Sequence, residues 1–305
     1  MFRKIKRYLR DPYFALGCDM IKKCPNLMSD RFFIETEWRL TMDYPLNLDN
    51  PLTFCEKLQW LKLHDHNPLY HKLVDKYEVK QWVMDRIGVE HVVKTYGVYN
   101  SVDEIDFDAL PNQFVLKCTH NSGGLVVCKD KRGLDLQHVR NVFKDGLNSQ
   151  DYYLWKREWA YKGVKPRIIA EEYIDSLGKP ESIEYKITCI HGKVKMITVC
   201  SGIAHAEFDM RFNDHFDREG NRLPFYVNYK PAGLNLPDKD RVHEMVSIAE
   251  SLSEGIPQVR VDVYVHKEKI YFGEMTFYTW GGFMNYKPIE WDGIMGSWLD
   301  LGIKK

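Results

Sequence analysis

Hydrophobic residues recur at helical spacing through the first ninety residues of the chain and at strand spacing after them. The segment DNPLTFCEKLQWLKLHD (49–65) places Phe54, Leu58 and Leu61 on one side of an amphipathic helix. The segment VDKYEVKQWVMDRIG (74–88) has similar spacing and predicts a second helix, with its last glycine as a C-terminal cap. The pattern therefore predicts a helical N-terminal region.

Beyond residue 90 the pattern predicts strands and helices in one mixed domain structure. Segments rich in β-branched and aromatic residues predict strands at 92–99, 114–120, 125–130, 167–174, 184–190, 193–202, 259–265 and 270–277. Helices are predicted at 134–147, 150–161 and 238–254, and a polar loop at 208–223. Short turns between several strands indicate antiparallel hairpins. Such hairpins with helices on one side are typical of the α+β class.

Composition and charge restrict the classes of protein to which the sequence can belong. The chain has 305 residues, 44% of them hydrophobic, and its 43 basic residues balance its 43 acidic residues. We expect a core large enough for two or three subdomains, and no net field that favours nucleic acid as a partner. The seven cysteines are scattered without a C-x-x-C motif, which indicates a reducing, cytoplasmic compartment and no zinc site.

The first residues, MFRKIKRYLRDPYFAL, are basic but lack the apolar core of a signal peptide. No apolar run approaches the roughly 20 residues that are needed to span a bilayer. Two interpretations of the basic segment stay open. It is either the solvated first turn of a helix or a peripheral contact with the inner face of an anionic membrane.

The stretch FVLKCTHNSGGLVVCKD (114–130) is a candidate phosphate-binding hairpin. Lys117 stands near the end of one strand, and the backbone N–H groups of Ser122, Gly123 and Gly124 would close over phosphates. It does not match a Walker loop, because a strand follows the glycines and no lysine comes after them. A protein-kinase loop is also disfavoured, since its glycines precede its lysine. The alternative is an ordinary hairpin with a flexible tip.

The segments VRVDVYV (259–265) and IYFGEMTF (270–277) form a candidate metal site. Arg260 and Asp262 lie on the polar face of the first strand, and Glu274 lies on the second. Magnesium is typically held by one or two carboxylates together with substrate phosphates, and a nearby arginine stabilises a phosphoryl group. The two carboxylates share one face only if the loop has an odd length or a strand contains a bulge. The alternative is a pair of strands with solvated charges.

The segment RIIAEEYI (167–174) is a candidate nucleotide hinge. The backbone of such a strand can bind the edge of adenine, and a carboxylate can accept hydrogen bonds from the exocyclic amine or the ribose. The next strand carries Glu184 and Lys186 on one face in the same way. Each signal alone is weak, because many strands simply end in charged residues.

Taken in order, these segments resemble the ATP-grasp superfamily and, within it, the teichuronopeptide-biosynthesis (TupA-like) ATP-grasp family. The resemblance covers nearly the whole chain from about residue 45, and it rests on FCEKLQWLKLHDHNPLYHKLVDKYEVKQWV, LPNQFVLKCTHNSGG, EYKITCIHGKVK, HFDREGNRLPF, VRVDVYVHKEKIYFGEMTFY and EWDGIMGSWL. It implies the ATP-grasp fold, in which two α+β subdomains clamp ATP. The implied regions are a helical N-terminal region (1–90), a small flap subdomain (91–165) and a C-terminal subdomain with hinge and metal site (166–305).

The resemblance also implies which residues bind ATP and Mg²⁺. Residues expected to contact ATP are Lys80 (or Lys76), Lys117, Ser122, Gly123, Gly124, Glu171, Glu172, Tyr173, Ile174, Glu184 and Lys186. In this set the lysines contact phosphates, residues 171–174 hold adenine, and Glu184 holds ribose. The expected catalytic residues are Arg260, Lys117 and Lys186.

Magnesium is expected on Asp262 and Glu274. Many ATP-grasp ligases have an asparagine two residues after the metal-binding glutamate, whereas this chain has Thr276. The hydroxyl of Thr276, or a water, is therefore the expected third ligand.

The resemblance implies an ATP-dependent carboxylate–amine ligase that activates a carboxylate as an acyl phosphate, which an amine then attacks. The implied product is an amide between an amino acid and a sugar acid or glycan-linked carboxylate, in bacterial surface-polysaccharide (capsule) biosynthesis. Three alternatives stay open: an ATP-dependent sugar kinase, a glycosyltransferase of polysaccharide assembly, and a non-catalytic nucleotide-binding subunit. The candidate acceptor contacts in the polar loop are Arg211, Asp214, His215 and Arg218, and Trp280 is expected to shape the acceptor pocket.

Overall fold

The computed structural model describes residues 11–121, 123–148, 152–175 and 181–303. Its helices are α1 (Pro12–Lys23), α2 (Asp30–Thr41), α3 (Phe54–His64), α4 (Leu69–Val74), α5 (Val79–Ile87), α6 (Leu136–Asn148), α7 (Tyr152–Lys156), α8 (Lys239–Ser253) and α9 (Glu290–Trp298). Its strands are β1 (Thr95–Tyr99), β2 (Phe114–Cys118), β3 (Leu125–Cys128), β4 (Ile168–Glu172), β5 (Glu184–Ile190), β6 (Lys193–Ser201), β7 (Phe212–Phe216), β8 (Tyr226–Val227), β9 (Gln258–His266), β10 (Lys269–Thr276) and β11 (Tyr286–Lys287).

The N-terminal region is helical, and its caps determine where the helices begin and end. Helix α3 begins at Phe54, the first residue of its hydrophobic pattern, where Thr53 and Glu56 form a capping box. The helix predicted at 74–88 begins only at Val79, as α5, because α4 ends at Val74 and a turn follows it; Gly88 ends α5 with a positive φ of 102°. Among the described helices, none is both long and apolar enough to cross a membrane. The basic residues 1–10 lie outside the described part of the chain.

The first sheet has four strands in the order β1-β4-β2-β3, and each neighbouring pair is antiparallel. Helix α6 buries Val139 and Phe143 in the same core as Phe114 of β2. In the β2–β4 pair, Val115 lies opposite Glu171. Lys117, two residues along β2, therefore lies diagonally across from Glu171 on the same face of the sheet.

The second sheet has five strands in the order β10-β9-β5-β6-β7, also antiparallel. Helix α8 contacts β5, β6 and β9 and shares a core with Val259, Val261 and Val263 of β9. Side chains alternate across a strand, so Arg260 and Asp262 lie on the face of the sheet away from α8. The repeated valines of β9 thus determine the face on which its charged residues lie.

The segment 208–223 was predicted as a polar loop, and the structure corrects this, because it contains the edge strand β7. Thr198 of β6 lies opposite His215, and Cys200 lies opposite Asn213. The three central residues of β7, Asn213, Asp214 and His215, are all polar and all buried, so the usual alternation of apolar and polar positions is missing. This polarity explains why the sequence pattern indicated a loop.

The predicted boundary between the small subdomain and the C-terminal subdomain, at residues 165/166, stays a prediction. Strand β4 follows that boundary in the sequence and pairs with β1 and β2 inside the four-stranded sheet. The chain enters the five-stranded sheet only at β5.

Candidate functional site

A cavity of about 240 Å³ lies between the two sheets and brings together residues that are far apart in the sequence. The four-stranded sheet and its hairpin contribute Lys117, Glu171 and the glycines at 123–124. The five-stranded sheet contributes Tyr264, Phe272, Gly273 and Glu274, and the helical region contributes Lys76 and Lys80. The predicted phosphate-binding hairpin and the predicted metal hairpin therefore border one space.

Glu171 holds two of the predicted phosphate-binding lysines at the wall of this cavity. Its Oε1 is 2.5 Å from Lys80 Nζ, and its Oε2 is 3.0 Å from Lys117 Nζ. Burial alone would raise the pKa of Glu171, but the ammonium groups of Lys117 and Lys80 hold it below its usual value. Burial lowers the pKa of Lys80 despite this pairing. The two ammonium groups are thus fixed beside a single carboxylate.

Lys76 was the sequence alternative to Lys80, and the structure brings both lysines to the cavity. Lys76 lies between α4 and α5, and its Nζ donates to the backbone carbonyl of Asn121 beside the flap. Burial lowers the pKa of Lys76, and the negative charge of Glu274 opposes that effect. Lys76 therefore connects the flap electrostatically with the predicted metal site.

The predicted flap, which connects β2 to β3, has the conformation of a tight hairpin. Cys118 N donates to Gly124 O at 2.8 Å, and Gly123 N donates to Asn121 Oδ1 at 3.0 Å. Gly124 has a φ of +65°, and a Cβ there would meet Cys118 Sγ at 2.3 Å. A glycine is therefore required at this position. Ser122, predicted to contact phosphate, lies outside the described residues.

The predicted metal hairpin is formed by β9 and β10, and a bulge in β10 sets its register. Lys267 and Glu268 form a two-residue turn with φ values of 48° and 62°. That turn would place Asp262 opposite Gly273, but the register shifts between Phe272 and Glu274, and Asp262 pairs with Glu274 instead. The bulge puts both carboxylates on one face, as the sequence analysis required for a shared metal site.

Arg260 bonds all three predicted metal ligands. Its guanidinium lies 2.6 and 2.7 Å from the two oxygens of Asp262, 3.2 Å from Glu274 Oε1 and 3.1 Å from Thr276 Oγ1. Enclosure would raise the pKa of Glu274, but Arg260 and Lys76 keep it below its usual value. The Glu274 carboxylate is therefore held ionised, the state in which it binds a cation.

Lys186 lies opposite Asp262 in the β5–β9 pair. Its Nζ is 3.3 Å from Glu184 Oε2 and 3.7 Å from Asp262 Oδ2. Burial would lower the pKa of Lys186, but Asp262 raises it above its usual value. Lys186 is thus a second fixed cation beside Arg260, Asp262, Glu274 and Thr276, which together are called the Arg260 cluster.

Four of the predicted nucleotide contacts do not line this cavity. Glu172 is exposed, Ile174 is buried, and the Tyr173 hydroxyl lies 3.0 Å from Asp175 Oδ1. Neither these three side chains nor Glu184 lines this cavity or the larger cavity that adjoins it. Their contacts with adenine and ribose stay predictions.

A larger cavity of about 620 Å³ adjoins the first and shares Lys76, Asn121 and Glu274 with it. Arg260 and Lys186 line its floor. Strand β7 lines one wall, and the residues around Trp280 line another. A molecule in this cavity would therefore face the Arg260 cluster on one side and open space for a second substrate on the other.

Of the four predicted acceptor contacts, His215 lines this cavity and the other three side chains have partners elsewhere. Asp214 accepts from Arg222 and from the backbone of Ala232 and Leu234, because alternation along β7 turns it away from His215. Arg218 pairs with Glu250 at 3.1 Å, and Arg211 donates to the carbonyl of His205. The segment 208–223 therefore contributes side chains to the cavity from one face of β7.

Sequence reasoning missed a buried charged group at the edge of the large cavity. Glu158 follows α7 and lines the cavity, and burial raises its pKa to about 7. Lys62 lies behind it, fully buried, and donates to Gln59 Oε1, Lys156 O and Gly281 O at 2.5–2.9 Å. No motif marks these residues, because they come from separate parts of the chain and meet only in the fold.

Three solved structures illustrate the likeness of the chain to known proteins. D-alanine–D-alanine ligase from Bacillus anthracis, complexed with ATP, has 17% identity and a TM-score of 0.39 over 68% of this chain and 55% of its own. ATP-grasp ligase PsnB, complexed with a phosphomimetic variant of a minimal precursor, Mg and ADP, has 9% identity and a TM-score of 0.39 over 73% and 57%. D-cycloserine synthetase DcsG has 14% identity and a TM-score of 0.38 over 69% and 64%. The chain thus spans 55% to 64% of the length of these structures.

The family comparison covers more of the chain. A search of curated proteins gives no match. The sequence model of the family described as TupA-like ATPgrasp matches residues 56–300, from α3 to the end of the described C-terminal helix and beyond it. This match includes both sheets, the flap and the metal hairpin, and the chain belongs to the TupA-like ATP-grasp family.

Proposed function

We propose that the chain is an ATP-dependent carboxylate–amine ligase. Its substrates would be an amino-acid amine and a sugar acid or glycan-linked carboxylate, and its product an amide used in bacterial surface-polysaccharide assembly. The proposed compartment is the cytoplasm, where ATP is available. Membership of the TupA-like ATP-grasp family supports the reaction class, and the site geometry supports the use of two substrates beside a nucleotide.

One observation carries the proposal: the cation-rich cavity and the larger cavity meet at the predicted metal ligands. Glu274 borders both spaces, and Arg260 faces the larger one. A nucleotide in the smaller cavity would therefore direct its terminal phosphate towards whatever occupies the larger cavity. This is the arrangement that phosphoryl transfer to a second substrate requires.

The residues present fit a magnesium ion that shares its coordination with phosphate oxygens. Asp262 and Glu274 offer carboxylates, and Thr276 offers a hydroxyl. Among the described residues, no group of three or more His, Cys, Asp or Glu could hold an ion by itself. A bound magnesium would neutralise charge on the phosphates. Asp262, Glu274 and Thr276 would hold it once Arg260 releases them.

The cations have separate tasks in this proposal. Lys80 and Lys117 would exchange Glu171 for phosphate oxygens, because an ammonium group binds phosphate as a point charge. Arg260 and Lys186 would stabilise charge on the transferred phosphoryl group and on the substrate carboxylate. The N–H groups of the flap would cover the phosphates and exclude water, which would otherwise hydrolyse an activated carboxylate.

The proposed reaction has two steps. The γ-phosphoryl group of ATP is transferred to a carboxylate oxygen, and ADP leaves. The amine then attacks the carbonyl carbon, phosphate leaves, and the nitrogen gives up a proton. The Glu158 carboxylate lines the larger cavity, and burial raises its pKa, which suits it to accept that proton.

The test is a product screen with purified protein, ATP, magnesium, uronic acids and amino acids. We expect ADP release that requires both a carboxylate and an amine, with a condensed product of matching mass. Lys117→Ala should remove ADP release without unfolding the chain. Arg140→Ala, which removes an exposed ion pair with Asp103, serves as the matched control and should keep it. A stable phosphosugar formed without an amine would contradict the ligase and favour a kinase.

A further inference from the structure

Two buried polar atoms on β7 lack partners at the wall of the large cavity. In the described part of the chain, Asn213 Oδ1 and His215 Nε2 have no hydrogen-bond partner, although both residues are more than nine-tenths buried. Both side chains line the large cavity. An unsatisfied buried polar group destabilises the folded chain, so two of them on one face of a strand indicate a site that a ligand completes.

Asn213 and His215, called the β7 pair, are also held in a fixed orientation. His215 Nδ1 lies 2.9 Å from Thr198 Oγ1, and the ring stacks parallel on Phe225 with centroids 4.5 Å apart. Phe225 in turn stacks on Trp291. Asn213 and His215 are two positions apart on one strand and therefore project to the same side. The ring orientation is thus fixed before any ligand arrives, with Nε2 as its remaining polar atom.

The chemistry of the pair favours uncharged partners. Burial lowers the pKa of His215 to about 4, and the nearby Asp214 only partly opposes this shift, so the ring is neutral at pH 7. A neutral imidazole offers one donor and one acceptor, and an asparagine amide offers both. Hydroxyl groups match such a pair, since each can donate and accept. Anionic groups would instead bind to Arg260 and Lys186, which line the floor of the same cavity.

An aromatic wall completes the same cavity. Tyr229 and Trp280 meet edge to face with ring centroids 5.5 Å apart, and 44% of Trp280 is exposed. Trp280 has a φ of 54°, an unfavourable value for a large residue. The adjoining glycine carbonyls are held by Gln59 Nε2 and Lys62 Nζ, which stabilise this turn. The indole is therefore fixed where it offers a flat apolar surface to a ligand.

We propose that Asn213 and His215 form a subsite for the hydroxyl groups of a sugar-ring carboxylate, whose ring lies along the wall of Tyr229 and Trp280. The carboxylate of that molecule would point towards Arg260 and Lys186. This inference deepens the proposed ligase function by naming the residues that select the carboxylate substrate, and it rests on that function for the subsequent reaction only. Binding itself can be tested without turnover.

The experiment measures binding of glucuronate and galacturonate to the full chain by calorimetry, with magnesium and a non-hydrolysable ATP analogue present. Cyclohexanecarboxylate is the matched ligand, because it has a ring and a carboxylate but no hydroxyl groups. We expect at least one uronate to bind more than tenfold tighter than cyclohexanecarboxylate. Equal affinities, or no binding of either uronate, would overturn the proposal.

Paired variants separate the two ring nitrogens of His215. His215→Asn keeps an amide near the Nδ1 position and loses the Nε2 position, whereas His215→Gln restores an amide near Nε2. We expect His215→Asn and Asn213→Leu each to weaken the uronate by about tenfold or more, the value of one lost hydrogen bond to a buried group, and His215→Gln to recover most of the loss. Lys193→Ala, which removes an exposed ion pair with Glu250, is the control and should leave affinity unchanged. Equal weakening in Lys193→Ala and His215→Asn would overturn the assignment.

The ring nitrogen gives a second readout that a purely structural role would not change. In a long-range ¹⁵N–¹H spectrum, glucuronate should shift the Nε2 resonance of His215, while cyclohexanecarboxylate should leave it in place. An unchanged Nε2 resonance at saturating uronate would contradict direct contact. If uronates bind through His215 but no ADP is released with any amine, the subsite stands and the ligase fails. If ligation proceeds equally with His215→Asn, the ligase stands and the subsite fails.

Discussion

The two sheets present opposite balances of charge to the cavity between them. On the four-stranded side, one carboxylate, Glu171, is shared by the ammonium groups of Lys80 and Lys117. On the five-stranded side, one guanidinium, Arg260, is shared by the carboxylates of Asp262 and Glu274. The first side is ready to bind an anion and the second a cation. A nucleotide triphosphate with its magnesium has that same division of charge.

The two sides also differ in how deeply the carboxylates Glu171 and Glu274 are buried. The Glu171 side chain is 7% exposed, whereas the Glu274 side chain is 41% exposed. A buried carboxylate between two lysines contributes to stability, because its removal leaves uncompensated charges in the interior. A half-exposed carboxylate contributes less to stability and is accessible to a metal ion. We therefore expect removal of the Glu171 charge to lower mainly stability, and removal of the Glu274 charge to lower mainly activity.

The largest effect is expected from Glu274→Gln. This variant keeps the shape of the side chain and removes the negative charge that would hold magnesium, so ADP release should fall by about 100- to 1,000-fold. The thermal midpoint should change little, because the side chain is accessible to solvent. Steady-state ADP assays and calorimetric unfolding check both parts. Wild-type turnover in a folded variant would contradict the assigned metal site.

The next largest effect is expected from Glu171→Gln, measured as the free energy of unfolding in urea. Loss of the shared carboxylate should destabilise the chain by about 3 kcal/mol, since Lys80 stays buried with its charge unpaired. Asp103→Asn is the control, because it breaks an exposed ion pair with Arg140 and should change stability by less than about 1 kcal/mol. Equal losses in the two variants would remove the contrast between a buried and an exposed pair.

The pH dependence of stability sharpens the same contrast. The pKa of Glu171 is lower in the folded chain than its usual value of 4.5, because Lys117 and Lys80 outweigh burial. Ionised Glu171 therefore stabilises the folded chain fully above pH 4.5, its usual pKa. This stabilisation disappears as the pH falls through the lower pKa of the folded state. The stability difference between wild type and Glu171→Gln should therefore shrink below pH 4.5. A constant difference down to pH 3 would show that Glu171 is not held ionised by the lysines.

A smaller effect is expected from Gly273→Ala in the bulge. A Cβ at this position would lie 2.6 Å from the Tyr264 ring, so the ring or the strand must shift. We expect a loss of about 1–3 kcal/mol in unfolding free energy, together with weaker binding of manganese in the presence of ATP. Gly293→Ala, where a Cβ meets no atom within 4 Å, is the matched control. Full manganese affinity in Gly273→Ala would show that the bulge is not needed to align the carboxylates.

The sequence predicted strands such as β5 and β9 to within a residue because their alternation is regular. It could not decide the register of the metal hairpin, since the bulge depends on how Gly273 accommodates the Tyr264 ring. The sequence predicted both Asp214 and His215 as acceptor contacts, because only their assignment to a strand shows that the two side chains face opposite ways. Glu158 and Lys62 gave no signal in the sequence, because the main cause of their shifted pKa values is burial, which only the fold creates.

The most direct test of the central claim is a crystal structure with a non-hydrolysable ATP analogue and manganese, whose anomalous signal locates the ion. The account predicts one triphosphate in the cavity between the sheets, with Lys117 Nζ on a phosphate oxygen and manganese on Glu274. It also predicts that Arg260 has left at least one of its carboxylate partners. A nucleotide bound elsewhere, or manganese distant from Glu274, would contradict the account.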